Sequence, residues 1–209
     1  MTTRTACKPG RPLPFTAACA LALALCGVLP AQAAAPAAAP VVADTSANFA
    51  PNDPPGEWRR AGRDYAGTRF STLDQVDTSN VARLKIAWTF ADGTLNGHEA
   101  APLVLGNTMY LVTPFPNISY ALDLSVPGAP IKWSHRPGPK PLAIGKACCD
   151  SVNRGGAFAD GKFIYNLLDM NTIAVDANTG KEVWRTSLGD SRKGETMTMA
   201  PLIIGNKVL

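Results

Sequence analysis

Ala174-Val175-Asp176-Ala177-Asn178-Thr179-Gly180-Lys181-Glu182-Val183-Trp184 is the stretch whose reading decides the fold. A short apolar run ends on an aspartate. Turn chemistry follows at Asn178-Thr179-Gly180, and a second short run carries a tryptophan. The same Ala-x-Asp step stands upstream as Ala121-Leu122-Asp123, ahead of Trp133, with Pro127, Gly128 and Pro130 in its turn. Trp88, Trp133 and Trp184 are 45 and 51 residues apart. A second signal keeps the same beat. Pro102-Leu103-Val104-Leu105-Gly106-Asn107 matches Pro201-Leu202-Ile203-Ile204-Gly205-Asn206, and Ala157-Phe158-Ala159-Asp160-Gly161-Lys162 is a degenerate copy between them. The glycines of these turns are 55 and 44 residues apart.

Outward from these repeats the chain reads as all-β. Residues 86–90, 103–105, 108–112, 119–122, 162–167, 172–175 and 182–186 are strand-like, with turn signals at 105–107, 160–161 and 178–180. Asp77-Thr78-Ser79-Asn80 offers helix N-cap chemistry before residues 81–85, and no long helical period follows. A period of roughly 40–50 residues with four short strands per unit is the signature of propeller blades. A β-sandwich would account for the short strands but not for the tryptophan beat. A closed propeller needs about four blades or more. These 209 residues hold about two units and the first strand of another, so the sequence reads as an incomplete propeller.

The N-terminus reads as an export signal. Arg4, Lys8 and Arg11 precede an apolar run of 15 residues at 15–29, and Ala31-Gln32-Ala33 is a cleavage site of the A-x-A type. The run is shorter than the roughly 20 residues that span a bilayer. Residues 1–33 are therefore expected to be removed and the product to be periplasmic. Residues 34–57 are expected to form a flexible leader, and 58–209 the propeller part. The formal charge of +4 becomes +1 without the three signal-peptide cations, which gives no basic face for nucleic acid. Of five cysteines only Cys148 and Cys149 stay, in an oxidising compartment.

Four constellations carry chemistry. Cys148-Cys149 has neither metal-clip nor redox spacing, and His98 and His135 complete no zinc pattern. A vicinal disulfide or two free thiols remain, and the oxidising compartment favours the ring. Gly97-His98-Glu99-Ala100-Ala101-Pro102 sets a carboxylate at the approach to a strand among small residues. Asn153-Arg154-Gly155-Gly156 sets a guanidinium beside Gly-rich backbone, which suits a planar carboxylate. In Thr196-Met197-Thr198-Met199-Ala200-Pro201 alternation puts Thr196 and Thr198 on one face. Each alone has an ordinary structural explanation.

Together these stretches resemble the large subunit of the pyrroloquinoline quinone (PQQ)-dependent methanol and ethanol dehydrogenases. The resemblance runs from Trp58 through Asn80-Val81, Ala87-Trp88-Thr89-Phe90, the Glu99 stretch, Thr113-Pro114-Phe115-Pro116-Asn117, Cys148-Cys149-Asp150, Val152-Asn153-Arg154-Gly155 and 196–201. The wording around 113–117 and at Gly194-Glu195-Thr196 is closest to the lanthanide-type methanol dehydrogenases. What the resemblance implies is an eight-bladed propeller, of which this chain supplies about the first two to three blades, and a run at 174–184 that acts as a tryptophan-docking repeat between blades. It implies a PQQ site with Cys148-Cys149 as a vicinal disulfide stacked on the quinone, and with Glu99, Arg154 and Thr198 hydrogen-bonding the cofactor. It implies oxidation of a primary alcohol by hydride transfer to PQQ with the help of Ca²⁺ or a lanthanide ion, a c-type cytochrome as electron acceptor, and room for a homodimer. No catalytic residue or metal ligand is assigned within the 209 residues; these are expected beyond Leu209, so the chain alone is expected not to oxidise alcohols. Two other readings are a non-enzymatic periplasmic propeller of the outer-membrane assembly type and a PQQ sugar dehydrogenase. The scaffold reading gives no reason for Cys148-Cys149 beside Asn153-Arg154.

Overall fold

The computed structural model describes residues 53–209. The export signal and residues 34–52 of the leader lie outside the described residues.

Two four-stranded antiparallel sheets and a further hairpin follow one another along the chain. The first sheet holds β1 (Leu103–Leu105), β2 (Thr108–Val112), β3 (Ser119–Asp123) and β4 (Ile131–His135) in chain order. The second holds β5 (Gly156–Ala159), β6 (Lys162–Asn166), β7 (Asn171–Asp176) and β8 (Glu182–Ser187), again in chain order. β9 (Ile203–Ile204) and β10 (Lys207–Val208) form the third unit. The three matching turns of the sequence each close the first hairpin of a unit. Gly106 (φ 52°) and Gly205 (φ 59°) take the left-handed conformation, and Asp160 and Gly161 both do (φ 48° and 70°). Two-residue hairpins need such residues because their twist must match that of the strands.

The tryptophan beat has a cross-strand cause. Ala121 of β3 stands opposite Trp133 of β4, and Ala174 of β7 stands opposite Trp184 of β8. In both sheets the register slips immediately after that alanine. A small residue leaves room for the indole, and the bulge re-aims the outer strand. The aspartate of each Ala-x-Asp step then builds the turn. Asp176 Oδ1 accepts the Asn178 and Thr179 N–H groups at 3.1 and 2.8 Å, and Asp123 Oδ1 accepts the Ser125 N–H at 3.0 Å. The Thr179 and Ser125 hydroxyls donate to the same oxygens and contribute most, and with the N–H bonds they favour the charged form and hold both carboxyls below their ordinary range.

The two sheets pack face to face over one aromatic core. Tyr110, Val112 and Trp133 of the first sheet meet Phe158, Phe163, Tyr165, Ile173 and Val175 of the second. Tyr110 stacks on Phe163 with centroids 5.5 Å apart, and Phe163 on Tyr165 at 5.3 Å. A buried aromatic removes about 150–250 Å² from water at about 25 cal/mol/Å², several times the roughly 1 kcal/mol net of a ladder hydrogen bond. Face-to-face burial therefore dominates the holding of one sheet on the next. Trp133 also locks the pair: its Nε1–H donates to Ala177 O at 2.9 Å, in the turn of the second sheet. The tryptophan of one unit thus docks on the Asp176–Gly180 turn of its successor.

Several expectations are corrected. Residues 86–90 form no strand, since they have no ladder partner among the described residues. Trp88 and Phe90 pack instead on the other face of the first sheet, against Ile118, Tyr120 and Leu122. Asn80 caps nothing with its side chain, and Val81–Arg83 makes only a 3₁₀ turn. Asp77 and Asn80 spend their side chains on the preceding loop: Asp77 Oδ1 takes the Ser79 N–H at 2.7 Å, and Asn80 Oδ1 takes the Asp77 N–H at 3.0 Å. Strands β4, β5 and β10 are additional to those expected. Residues 53–57, counted with the leader above, are bound into the fold through Asp53–Arg63 (3.0 Å) and Glu57–Arg59 (2.7 Å). From there the chain runs along the first strands of all three units. Trp58 exchanges two 2.8 Å backbone bonds with Val104, Phe158 N–H donates to Arg59 O at 3.3 Å, and Tyr65 OH donates to Ile203 O at 2.8 Å.

Candidate cofactor site

The segments that lead into β1, β5 and β9 lie side by side. Ala101 pairs in parallel with Gly155, and Arg154 N–H donates to Thr198 O at 2.9 Å. Gly155 is required here. Its φ is +112°, and a β-carbon would lie 3.3 Å from Ala101 O. The same placement in successive repeats therefore brings together residues far apart in the chain.

Arg154 is the hub. Its Nη2 lies 3.3 Å from Glu99 Oε2, and its Nη1–H donates to Thr198 Oγ1 at 2.7 Å. The Glu99 and Arg154 side chains are 46% and 41% exposed, so this pair still faces open space. Glu99, Arg154 and Thr198 are thus brought together. Of the two threonines, Thr198 meets Arg154, while Met197 turns inward and is buried. His98 turns to Asp92 at 3.5 Å rather than to this cluster.

A buried amide frame fixes the hub. Asn153 Oδ1 accepts the Gly155 N–H at 2.9 Å, and its Nδ2–H donates to Asn166 O at 2.8 Å. Asn166 Nδ2–H donates to Met199 O at 3.1 Å, and Thr172 Oγ1–H donates to Asn166 Oδ1 at 2.7 Å. These bonds tie the lead-ins of β5 and β9 to the body of the second sheet. Asn166 was not singled out from sequence. An Asn ending a strand is common, and only its partners 13 and 33 residues away reveal its task.

Cys148 and Cys149 sit on an exposed turn before β5, braced where Phe115 N–H donates to Ser151 O at 2.8 Å. Cys149 and Asp150 both adopt left-handed backbone (φ 65° and 64°), a disfavoured pair that the turn imposes. The disulfide implied by the resemblance is not formed in the structure. The thiols lie with sulfurs 2.7 Å apart, against the roughly 2.05 Å of a bond. Their hydrogen bond raises the Cys148 thiol and lowers that of Cys149, which the Arg154 guanidinium lowers further. Arg154 and Glu99 act on both thiols, so the pair belongs to the same electrostatic cluster.

Glu99 and Arg154 line a cavity of about 540 Å³, with Trp58, Arg69, Ala101 and Val104 on its walls. That volume lies in the roughly 300–1,000 Å³ range of small-molecule and cofactor pockets. A family model for the β-propeller domain of PQQ glucose/ethanol/alcohol dehydrogenases matches residues 58–190. The chain belongs to this PQQ dehydrogenase family. It is 50% identical over 155 residues to the lanthanide-dependent methanol dehydrogenase of Methylacidiphilum fumariolicum (strain SolV), covering 74% of this chain and 25% of that protein. It is 44% identical over 158 residues to methanol dehydrogenase (cytochrome c) subunit 1 of Methylobacterium organophilum, covering 73% and 25%. A solved europium-containing methanol dehydrogenase superposes with a TM-score of 0.73 at 49% identity, covering 75% of this chain and 27% of that one. The chain therefore spans about a quarter of the length of the relatives it matches. That superposition also supports the partial-propeller reading of its sheets.

Proposed function

We propose that the whole protein is a periplasmic PQQ-dependent alcohol dehydrogenase, oxidising methanol or ethanol and passing electrons to a c-type cytochrome. The observation that carries this reading is Arg154, held between Glu99 and Thr198 on the lead-ins of three successive propeller units. Glu99, Arg154 and Thr198 would hold PQQ, and the bound group would supply a quinone able to accept a hydride from the alcohol carbon.

The residues present suit such a ligand. Arg154 has five N–H groups in a planar fork and uses two of its nitrogens on Glu99 and Thr198, leaving donors for a carboxylate. Thr198 Oγ1 accepts from Arg154, which leaves its own O–H available as a donor. Glu99 offsets the charge of Arg154 and, with Thr198, holds the guanidinium in place. Oxidation of Cys148-Cys149 to a ring would give a flat apolar face beside them. Among the described residues no group of three or more His, Cys, Asp or Glu side chains is placed to hold a metal. The proposed Ca²⁺ or lanthanide ion therefore has no ligand assigned here. Two relatives at 50% and 51% identity are named lanthanide-dependent methanol dehydrogenases, which supports the lanthanide. The periplasmic location rests on the export signal at 1–33. The scaffold alternative gives the Glu99–Arg154–Thr198 cluster no task.

The test is turnover by the whole protein, supplied with PQQ and either Ca²⁺ or La³⁺, on methanol and ethanol with a c-type cytochrome as acceptor. Alcohol- and PQQ-dependent reduction of the cytochrome is expected. No reduction with either metal would contradict the proposal.

A further inference from the structure

Four arginines lie between residues 59 and 69, and three of them are paired with carboxylates within the fold. Arg60 and Arg63 reach Asp53 at 3.3 and 3.0 Å, and Arg59 reaches Glu57 at 2.7 Å. Arg69 makes no side-chain hydrogen bond or ion pair among the described residues, and it lies on the wall of the same 540 Å³ cavity as Glu99 and Arg154. A dedicated loop delivers it there. Arg69 N–H donates to Gly62 O at 3.1 Å, and Gly67 N–H to Asp64 O at 3.1 Å. The Asp64 carboxylate also takes the Thr68 N–H at 3.0 Å and its hydroxyl. Arg69 itself is held at φ 52°, a conformation that a residue with a long side chain seldom adopts unless its surroundings impose it. The loop is anchored through Tyr65, whose ring lies under Arg60 at 4.7 Å and whose OH holds Ile203 O.

The charge balance of the cavity gives this arginine a purpose. Glu99 already matches Arg154, so Arg69 is the excess positive charge on the wall. A ligand with several carboxylates needs more cation than a compensated Arg154 provides. We propose that Arg69 is a second cofactor-binding guanidinium, donating to a carboxylate of PQQ that Arg154 does not hold. This rests on the reading of the cavity as the PQQ site.

The test is a titration of the whole apoprotein, in Ca²⁺, with PQQ and with its trimethyl ester, followed by quenching of tryptophan fluorescence. Arg69→Ala and Arg69→Gln are expected to weaken PQQ binding roughly ten- to a hundredfold. Arg69→Lys is expected to keep most of the affinity, and the melting temperature of the apoprotein to stay unchanged, because the side chain has no partner to lose. With the trimethyl ester the variants should differ little from the wild type. PQQ binding by Arg69→Ala and Arg69→Gln as tight as wild type, with Arg154→Ala impaired, would overturn the role of Arg69 and leave the site reading standing. A wild-type protein that binds no PQQ would overturn both.

Discussion

Trp133 and Gly180 touch so closely that a β-carbon added to Gly180 would lie 2.7 Å from the indole ring. Gly180 also sits at φ 70° and donates its N–H to Asp176 O at 2.8 Å, so backbone conformation and space both exclude a side chain. Gly180→Ala is expected to destabilise the protein by about 1–3 kcal/mol, through overpacking and strain together. Urea unfolding followed by tryptophan fluorescence measures it. An unchanged midpoint would mean that the indole does not bear on the turn.

Trp133→Phe isolates the polar half of this contact. It removes the Nε1 bond to Ala177 O but leaves that oxygen a second donor, Tyr110 OH at 3.3 Å. The expected polar contribution is about 1 kcal/mol, within a larger loss from the smaller ring. Trp133→Ala should cost about 3–5 kcal/mol. Equal losses for the two variants would show that packing is not what locks one sheet to the next.

His135 gives the stability a pH dependence. It lies between Tyr165 OH (3.1 Å from Nδ1) and Glu182 (3.4 Å from Nε2), with Ser119 and Arg185 bonded to the same groups. Burial pushes its pKa below 6.5; Glu182 acts against that and Arg185 with it. The folded state thus binds fewer protons than the unfolded one just below pH 6.5. Stability is full above the unfolded pKa and falls as the pH drops from there through the lowered folded pKa. Thermal melts between pH 7.5 and 5.0 should show this decline, and His135→Asn should flatten it. A wild-type melting temperature that rises on acidification over this interval would contradict the assigned sign.

Much of the fold was legible because its signals are local. A left-handed glycine in a two-residue hairpin, an aspartate that takes the next N–H groups and an alanine opposite a tryptophan each act within about a dozen residues. Residues 86–90 carry the same apolar content as a strand, yet a strand also needs a partner, and partnership is not written in the run itself. β4 was missed because Lys132, Ser134 and His135 dilute its apolar content, and β5 because Gly156 and Ala157 have low strand preference. At the site, Glu99, Arg154 and Thr198 were recognisable by resemblance, and their convergence followed from equivalent positions in a repeat. Asn166 and Arg69 were not, since one acts through distant backbone partners and the other through a cavity that exists only once the first strands of the units are aligned.

The cysteine pair answers to oxidation state. With sulfurs 2.7 Å apart and the Cys149 thiol lowered by Cys148 and Arg154, ring closure needs only a small movement and an oxidant. Peptide mass mapping of exported protein without reductant should find the Cys148-Cys149 peptide two hydrogens light. Alkylation of both thiols in native protein would count against the ring. Reduction of the ring is expected to weaken PQQ binding while leaving the far-ultraviolet circular dichroism spectrum unchanged.

The most direct test of the central claim is chemical. The protein is purified at its full natural length from the periplasm of a host that makes PQQ, denatured in acid, and the extract analysed by absorption and mass spectrometry. A PQQ site built on Glu99, Arg154 and Thr198 predicts about one PQQ per chain in the wild type. For Arg154→Ala it predicts a large loss, because that side chain holds the other two. No PQQ in the wild-type extract, or full PQQ content in Arg154→Ala, would contradict it.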